Sequence, residues 1–331
     1  MVTGQIKFLS RLVSGIFLGF IILSGTILIQ GTITPAVSAG SLLSVNPPAG
    51  QRYDFQALEP SFGLASPNSL LTSTLYLPLV LNSSEGVPDN GLDCNPSGGS
   101  GGLAAGTVAE VTVGGLLSSV VVGDGYDPAK PTYLVFYLHG DEGNYSQFQI
   151  NGHKVSTLIK EKGWVFVAPR SHLSSSGKYS WWQSPNKNIP ALTAVFEEMF
   201  AKYNLCRDAI LAGTLSGGST FYTANFFPEK GGEYPTHLIL FCGGVQPSSV
   251  GRGKVTTLGQ DPDIVDRSSF KFRYGTEDFL YDDIQKTISF YSDAGFTVTQ
   301  QKEAGVGHCV SNASQKMRDF LVDKAAELGI D

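Results

Sequence analysis

Five short strand-like runs, Thr132–Leu138, Trp164–Ala168, Ala209–Ala212, Leu238–Phe241 and Phe270–Tyr274, constrain this chain more than anything else in it. The first four lack the apolar/polar alternation of a half-exposed strand and read as strands buried on both faces, while Phe270–Tyr274 reads as a further strand. Between and after them lie segments with helical apolar spacing: Val155–Lys162, Ile189–Tyr203, Asp282–Asp293 and Asn312–Glu327. Strands alternating with helices on this scale specify an α/β fold, a mostly parallel sheet flanked by helices. Thr297–Glu303 adds a late strand. Thr107–Val113 and Leu117–Val122, split by Gly114-Gly115, read as an antiparallel pair at the start. Asn188 is the expected N-cap of the Ile189–Tyr203 helix, with Pro190 in its first turn.

The organisation ahead of this domain differs. Lys7 and Arg11 precede an apolar run from Leu12 to Ile29, and Pro35-Ala36-Val37-Ser38-Ala39 follows. A basic start, an apolar core and small residues form an export signal, with cleavage expected after Ala39. The run is nearly long enough to cross a bilayer, so an uncleaved anchor is the alternative. Residues 40–102 read as a linker or loosely ordered arm, with one apolar island at Leu75–Leu81 and a Gly/Ser-rich boundary at 95–102. The globular domain then runs from 103 to 331. In an exported chain, four cysteines (94, 206, 242 and 309) permit two disulfides in three connectivities. A Cys242–Cys309 bridge would brace the loop around His308, and free buried thiols are the alternative. No CxxC pair suggests zinc. A net charge of −6 with no basic run argues against a nucleic-acid partner.

The chemistry-bearing residues come in a fixed order. Ser216 lies in the glycine-rich turn Gly213–Gly218 directly after a strand. Asp278 lies in Gly275-Thr276-Glu277-Asp278 after another, and His308 follows Gly307 late in the chain. A serine hydroxyl attacks a carbonyl only when a base takes its proton and the turn holds it exposed. His308 is placed to be that base. Asp278, with Glu277 as the fallback, is placed to orient it. This serine–acid–histidine order is that of the α/β-hydrolases. One position is irregular. Two residues before the serine, where the crowded turn wants glycine, stands the β-branched Thr214. A literal glycine frame from Gly213 to Gly217 would centre Leu215, which cannot attack a carbonyl.

Charge developing on a substrate oxygen needs fixed N–H donors. The loop His139-Gly140-Asp141-Glu142-Gly143 ends a buried strand. It suggests the backbone N–H of Asp141 as one donor, with that of Gly217 as the second. Trp181 and Trp182 are candidates to stack on sugar or phenolic rings, or else to pack beneath a loop. Tyr145 and Phe148 carry the same two readings.

From about Gly106 onward the chain resembles secreted α/β-hydrolases of the polyhydroxybutyrate depolymerase and feruloyl esterase group (carbohydrate esterase family 1). The residues are Tyr137-Leu138-His139-Gly140-Asp141, Val167-Ala168-Pro169, Trp181-Trp182, Gly213–Gly218, Gly275–Asp278 and Gly307-His308. The resemblance implies a secreted, cofactor-free serine esterase. Its substrate would be a polyester, or an aryl or acetyl ester of a plant polysaccharide. Ser216, Asp278 and His308 match the group's triad, and Thr214 departs from its usual glycine. Two other readings stand beside this one: a catalytically inactive hydrolase fold used for binding, and a secreted serine peptidase on the same fold.

Overall fold

The structure is a computed structural model and describes residues 94–141, 143–146 and 153–330. The expected signal segment, cleavage point, apolar island and most of the arm lie outside these residues, as do Glu142 and Phe148. The chain opens with an antiparallel hairpin, β1 (Val108–Val113) and β2 (Leu116–Val122). Its turn residues, Gly114 and Gly115, have φ of 56° and 80°. Left-handed conformation at both turn positions favours glycine, and it matches the twist of the paired strands.

Next come β3 (Leu134–Leu138), α1 (Lys154–Lys162), β4 (Val165–Pro169), α2 (Pro185–Lys202) and β5 (Ile210–Leu215). After β5, α3 (Gly217–Phe221) runs through a π-helical stretch at Tyr222–Phe226 into α4 (Phe227–Lys230). The remainder is β6 (Thr236–Phe241), α5 (Ser249–Leu258), α6 (Pro262–Asp266), β7 (Ser269–Gly275), α7 (Tyr281–Asp293), β8 (Thr297–Glu303) and α8 (Ala313–Glu327).

The eight strands form one sheet in the order β1-β2-β4-β3-β5-β6-β7-β8. Only the β1–β2 and β2–β4 pairings are antiparallel. This order, with the Ser216 turn after the fifth strand, is the α/β-hydrolase fold. Alternate residues of the central strands feed two cores. Phe136, Ala212, Leu240 and Phe272 pack on one face with Phe196 of α2 and Phe221 of α3. Tyr137, Leu211, Ile239 and Phe241 pack on the other with Leu158 of α1 and Leu321 of α8. Burial on both faces explains why these strands read as continuous apolar runs.

Three local readings are revised. Helix α2 starts at Pro185, a turn before the expected Ile189, because proline is pre-set for a first helical position. Asn188 is therefore no cap. It is buried inside the helix, donating to the carbonyls of Ser180 and Trp181 and accepting the His172 N–H. The helices α5 and α6 were not legible, since Gly251 and Gly253 lower helix propensity in the first of them. Finally, the Gly/Ser-rich stretch at 95–102 is not a free boundary. Cys94 is bridged to Cys206, the Ser97 and Gly101 N–H groups donate to Leu205 and Lys202, and the Tyr203 hydroxyl accepts from Leu103.

Candidate active site

The candidate residues converge at the carboxyl ends of β3, β5 and β7. Ser216 occupies the turn between β5 and α3 with φ 47° and ψ −112°, a conformation that L-residues rarely adopt. Its N–H donates to the Phe241 carbonyl at the end of β6, at 2.8 Å. The turn is crowded, as its glycines show. A Cβ on Gly218 would fall 2.6 Å from the Leu138 carbonyl oxygen, and one on Gly243 only 2.4 Å from that of Ser216. Neither backbone oxygen can yield.

Thr214, the irregular residue, is fully buried and accommodated. Its Oγ1 lies 2.9 Å from Ser219 Oγ, and Ser219 donates to the Phe241 carbonyl at 3.2 Å. Ser219 has one proton, given to Phe241, so Thr214 is the donor to Ser219. The extra hydroxyl is thus absorbed into the hydrogen bonds that fix the elbow.

Ser216 Oγ lies 2.8 Å from His308 Nε2, and His308 Nδ1 lies 2.9 Å from Asp278 Oδ1. The Asp278 carboxylate is completely buried and also accepts the Leu280 N–H at 2.9 Å. With Nδ1–H donating to the carboxylate, Nε2 is left as the acceptor for the serine proton. Glu277, the fallback acid, is exposed and is not part of this chain. Its N–H donates to the Val306 carbonyl and so ties the acid turn to the histidine loop.

The bridge Cys242–Cys309 joins the end of β6 to the residue after His308, with Cα atoms 4.7 Å apart. Cys242, His308 and Cys309 are also the one close group of metal-binding residue types among the described residues. Both sulfurs are in the disulfide and both imidazole nitrogens are engaged, so the group offers no ligand set.

The loop His139–Asp141, expected to supply an oxyanion donor, is held from the side. Buried His139 accepts the Ser171 N–H at Nε2 (3.0 Å), so its proton is on Nδ1, which donates to the Gly140 carbonyl at 2.5 Å. That carbonyl and the Asp141 N–H belong to one planar trans peptide and point opposite ways. Clamping the first therefore aims the second. Neither the Asp141 nor the Gly217 N–H is used in another hydrogen bond among the described residues. Gly140 rests against Ser216; a Cβ there would lie 3.4 Å from the serine Cβ. The Asp141 side chain anchors the loop by accepting from Ser180 Oγ (2.8 Å) and Trp182 Nε1 (2.8 and 2.9 Å).

The two tryptophans separate. Trp182 is 43% exposed beside Asp141. Trp181, expected to face substrate, is instead fully buried, its ring packed on Phe221 and His139. The bend at Trp181-Trp182 sends one ring inward and the other out. Tyr145 is buried as well, its hydroxyl on Glu110 and its ring beneath the Arg170 guanidinium. Gly140, Leu215, Ser216, Phe279 and His308, with Asn144 and Lys178, line an open cleft of about 440 Å³. Lys178, Asn144 and Phe279 carried no signal in the sequence. Phe279 follows Asp278 and Asn144 precedes Tyr145, both of which were singled out, whereas Lys178 adjoins no such residue.

Burial lowers the pKa of His139 to about 4, and that of His237 in β6 to about 4. The unfolded chain takes up a proton at each near pH 6.5, whereas the folded protein refuses it. Stability is therefore intact above pH 6.5 and declines as pH falls toward 4, by about 3 kcal/mol for each histidine once both pKa values are passed. Urea unfolding at pH 7.5, 6, 5 and 4 should show this decline, and His237→Gln should flatten it.

No protein-family model matches the chain, and no curated protein does. Among solved structures it is similar to a hormone-sensitive lipase from a metagenome library, at 15% identity and a TM-score of 0.47, over 69% of this chain and 86% of that one. A thermophilic esterase from the Planctomycetes species Thermogutta terrifontis matches at 15% identity and 0.46, over 68% and 95%. An S-formylglutathione hydrolase from Staphylococcus aureus matches at 14% and 0.46, over 66% and 97%.

Proposed function

We propose that this protein is a serine ester hydrolase working through an acyl-enzyme. His308 Nε2 takes the Ser216 proton as Oγ attacks the ester carbonyl, and the resulting oxyanion is met by the N–H groups of Asp141 and Gly217. His308 then protonates the leaving alkoxide. Water, deprotonated by the same nitrogen, attacks the acyl-enzyme to release the acid and restore Ser216. Asp278 keeps the imidazole in the required tautomer and offsets the charge that it gains.

The observation that carries this reading is the unbroken relay of 2.8 and 2.9 Å from a serine at positive φ to a buried carboxylate. Such strain persists where the surroundings hold a reactive side chain in place. For the substrate, the resemblance to the polyhydroxybutyrate depolymerase and feruloyl esterase group favours polymer-linked, aryl or acetyl esters. The open cleft, with Phe279 on its wall, suits a bulky or aromatic ester. The apparent signal segment and two disulfides fit an extracytoplasmic site of action.

The test is labelling of the purified protein with a fluorophosphonate, followed by mass mapping of the adduct. A single adduct in the peptide bearing Ser216, absent in Ser216→Ala, is the expected result. A folded protein that stays unlabelled beside a reactive control esterase would sink the proposal and leave a binding role.

A further inference from the structure

Phe279 is 76% exposed, the most exposed large apolar side chain among the described residues. So little of it is buried that the hydrophobic effect does not explain its place. Its ring nevertheless lies on the imidazole of His308, with centroids 4.3 Å apart and planes inclined by 35°. It also immediately follows Asp278. One short turn therefore gives His308 an in-plane partner and a partner for its face.

The need for the second follows from geometry. Hydrogen bonds at Nδ1 and Nε2 both lie in the ring plane, so they leave the imidazole free to pivot about the line joining Asp278 to Ser216. His308 rides on a loop of no regular structure, and a Cβ on neighbouring Gly307 would meet nothing within 4 Å. Packing from its own loop is thus sparse. The acid turn is fixed relative to that loop by direct backbone contact. The Glu277 N–H donates to Val306 at 2.9 Å, and a Cβ on Gly275 would strike the Val306 carbonyl oxygen. The Tyr281 N–H, donating to the Asp278 carbonyl at 2.9 Å, closes a turn that holds Phe279 just ahead of α7.

We infer that Phe279 is a positioning residue: its ring face stops the His308 imidazole from swinging out of line between Ser216 and Asp278. The inference rests on the serine-esterase reading, but its test does not depend on turnover. In a Ser216→Ala background, the His308 Nδ1–H donated to Asp278 should give a low-field proton resonance. Adding Phe279→Leu, which keeps apolar bulk and removes the flat face, should broaden or abolish that resonance, and Phe279→Tyr should restore it. With Ser216 present, Phe279→Leu should slow fluorophosphonate labelling about tenfold, since a small misplacement of a reacting group carries a cost of this order. On a p-nitrophenyl ester the loss should fall on kcat and be rescued by tyrosine.

An unchanged resonance in Phe279→Leu would overturn the inference. So would a rise in KM alone, which would leave Phe279 as no more than a wall of the substrate cleft. If the parent protein labels with nothing, the esterase reading fails. The resonance comparison still decides the role of Phe279.

Discussion

Ser216→Ala should lower kcat/KM on a p-nitrophenyl ester by about five to six orders of magnitude while leaving the thermal midpoint within a degree or two. The size follows from the relay acting as a unit. Once the attacking oxygen is gone, His308 and Asp278 have no proton to move, and only the oxyanion donors and the binding cleft remain. The unchanged stability follows from position: Ser216 is partly exposed, its one side-chain bond is to His308, and alanine bears the same φ of 47° at the same cost. His308→Ala should match it in activity to within about tenfold, and the double variant should be no worse than either single one. Additive losses in the double variant would show two independent contributions and refute the relay.

The second large effect concerns Cys242 and Cys309. Replacing both with alanine opens a closed loop spanning 67 residues. On a chain-entropy account this costs about 4 kcal/mol, visible as a lower urea midpoint. Unlike Ser216→Ala, it should damage activity and stability together. Cys309 carries the backbone of His308, and Cys242 adjoins Gly243, which lies against the Ser216 carbonyl. Removing the bridge leaves the base to find its place through two hydrogen bonds and one ring contact, so kcat should fall about tenfold to a hundredfold with KM little changed. The pair Cys94 and Cys206, bridged across 112 residues with neither in the cleft, is the control. Its loss should cost similar stability and leave kcat intact.

The middle of the sheet was legible because β3, β4, β5 and β6 are buried on both faces. Short apolar runs such as Leu238–Phe241, bounded by turn residues, have the length of a buried strand and are too short for a buried helix. The relay was legible for a different reason: acid and base follow strand ends, where the order of the chain dictates the order of the site. Contacts that join distant segments left no trace. Nothing near Thr214 announces that its hydroxyl is taken up by Ser219 and a carbonyl on another strand. Trp181 and Trp182 were indistinguishable as letters, and only packing on Phe221 and His139 separates the buried ring from the exposed one. Asn188 looked like a cap because its type suits one. Its tertiary bonds to Ser180 and Trp181 carried it into the helix instead.

Besides Ser216, the residues on either end of the neighbouring disulfide also hold left-handed backbone, with φ of 45° at Cys242 and 69° at Cys309. Non-glycine residues in such conformations cost about 1–3 kcal/mol apiece, and three of the four in the described chain crowd around one hydroxyl. Laboratory evolution for heat resistance alone would therefore have an easy path: glycine at 216, which relaxes the turn and discards the nucleophile. A screen for hardier variants has to score turnover in the same round, or its winners will be well-folded and inert.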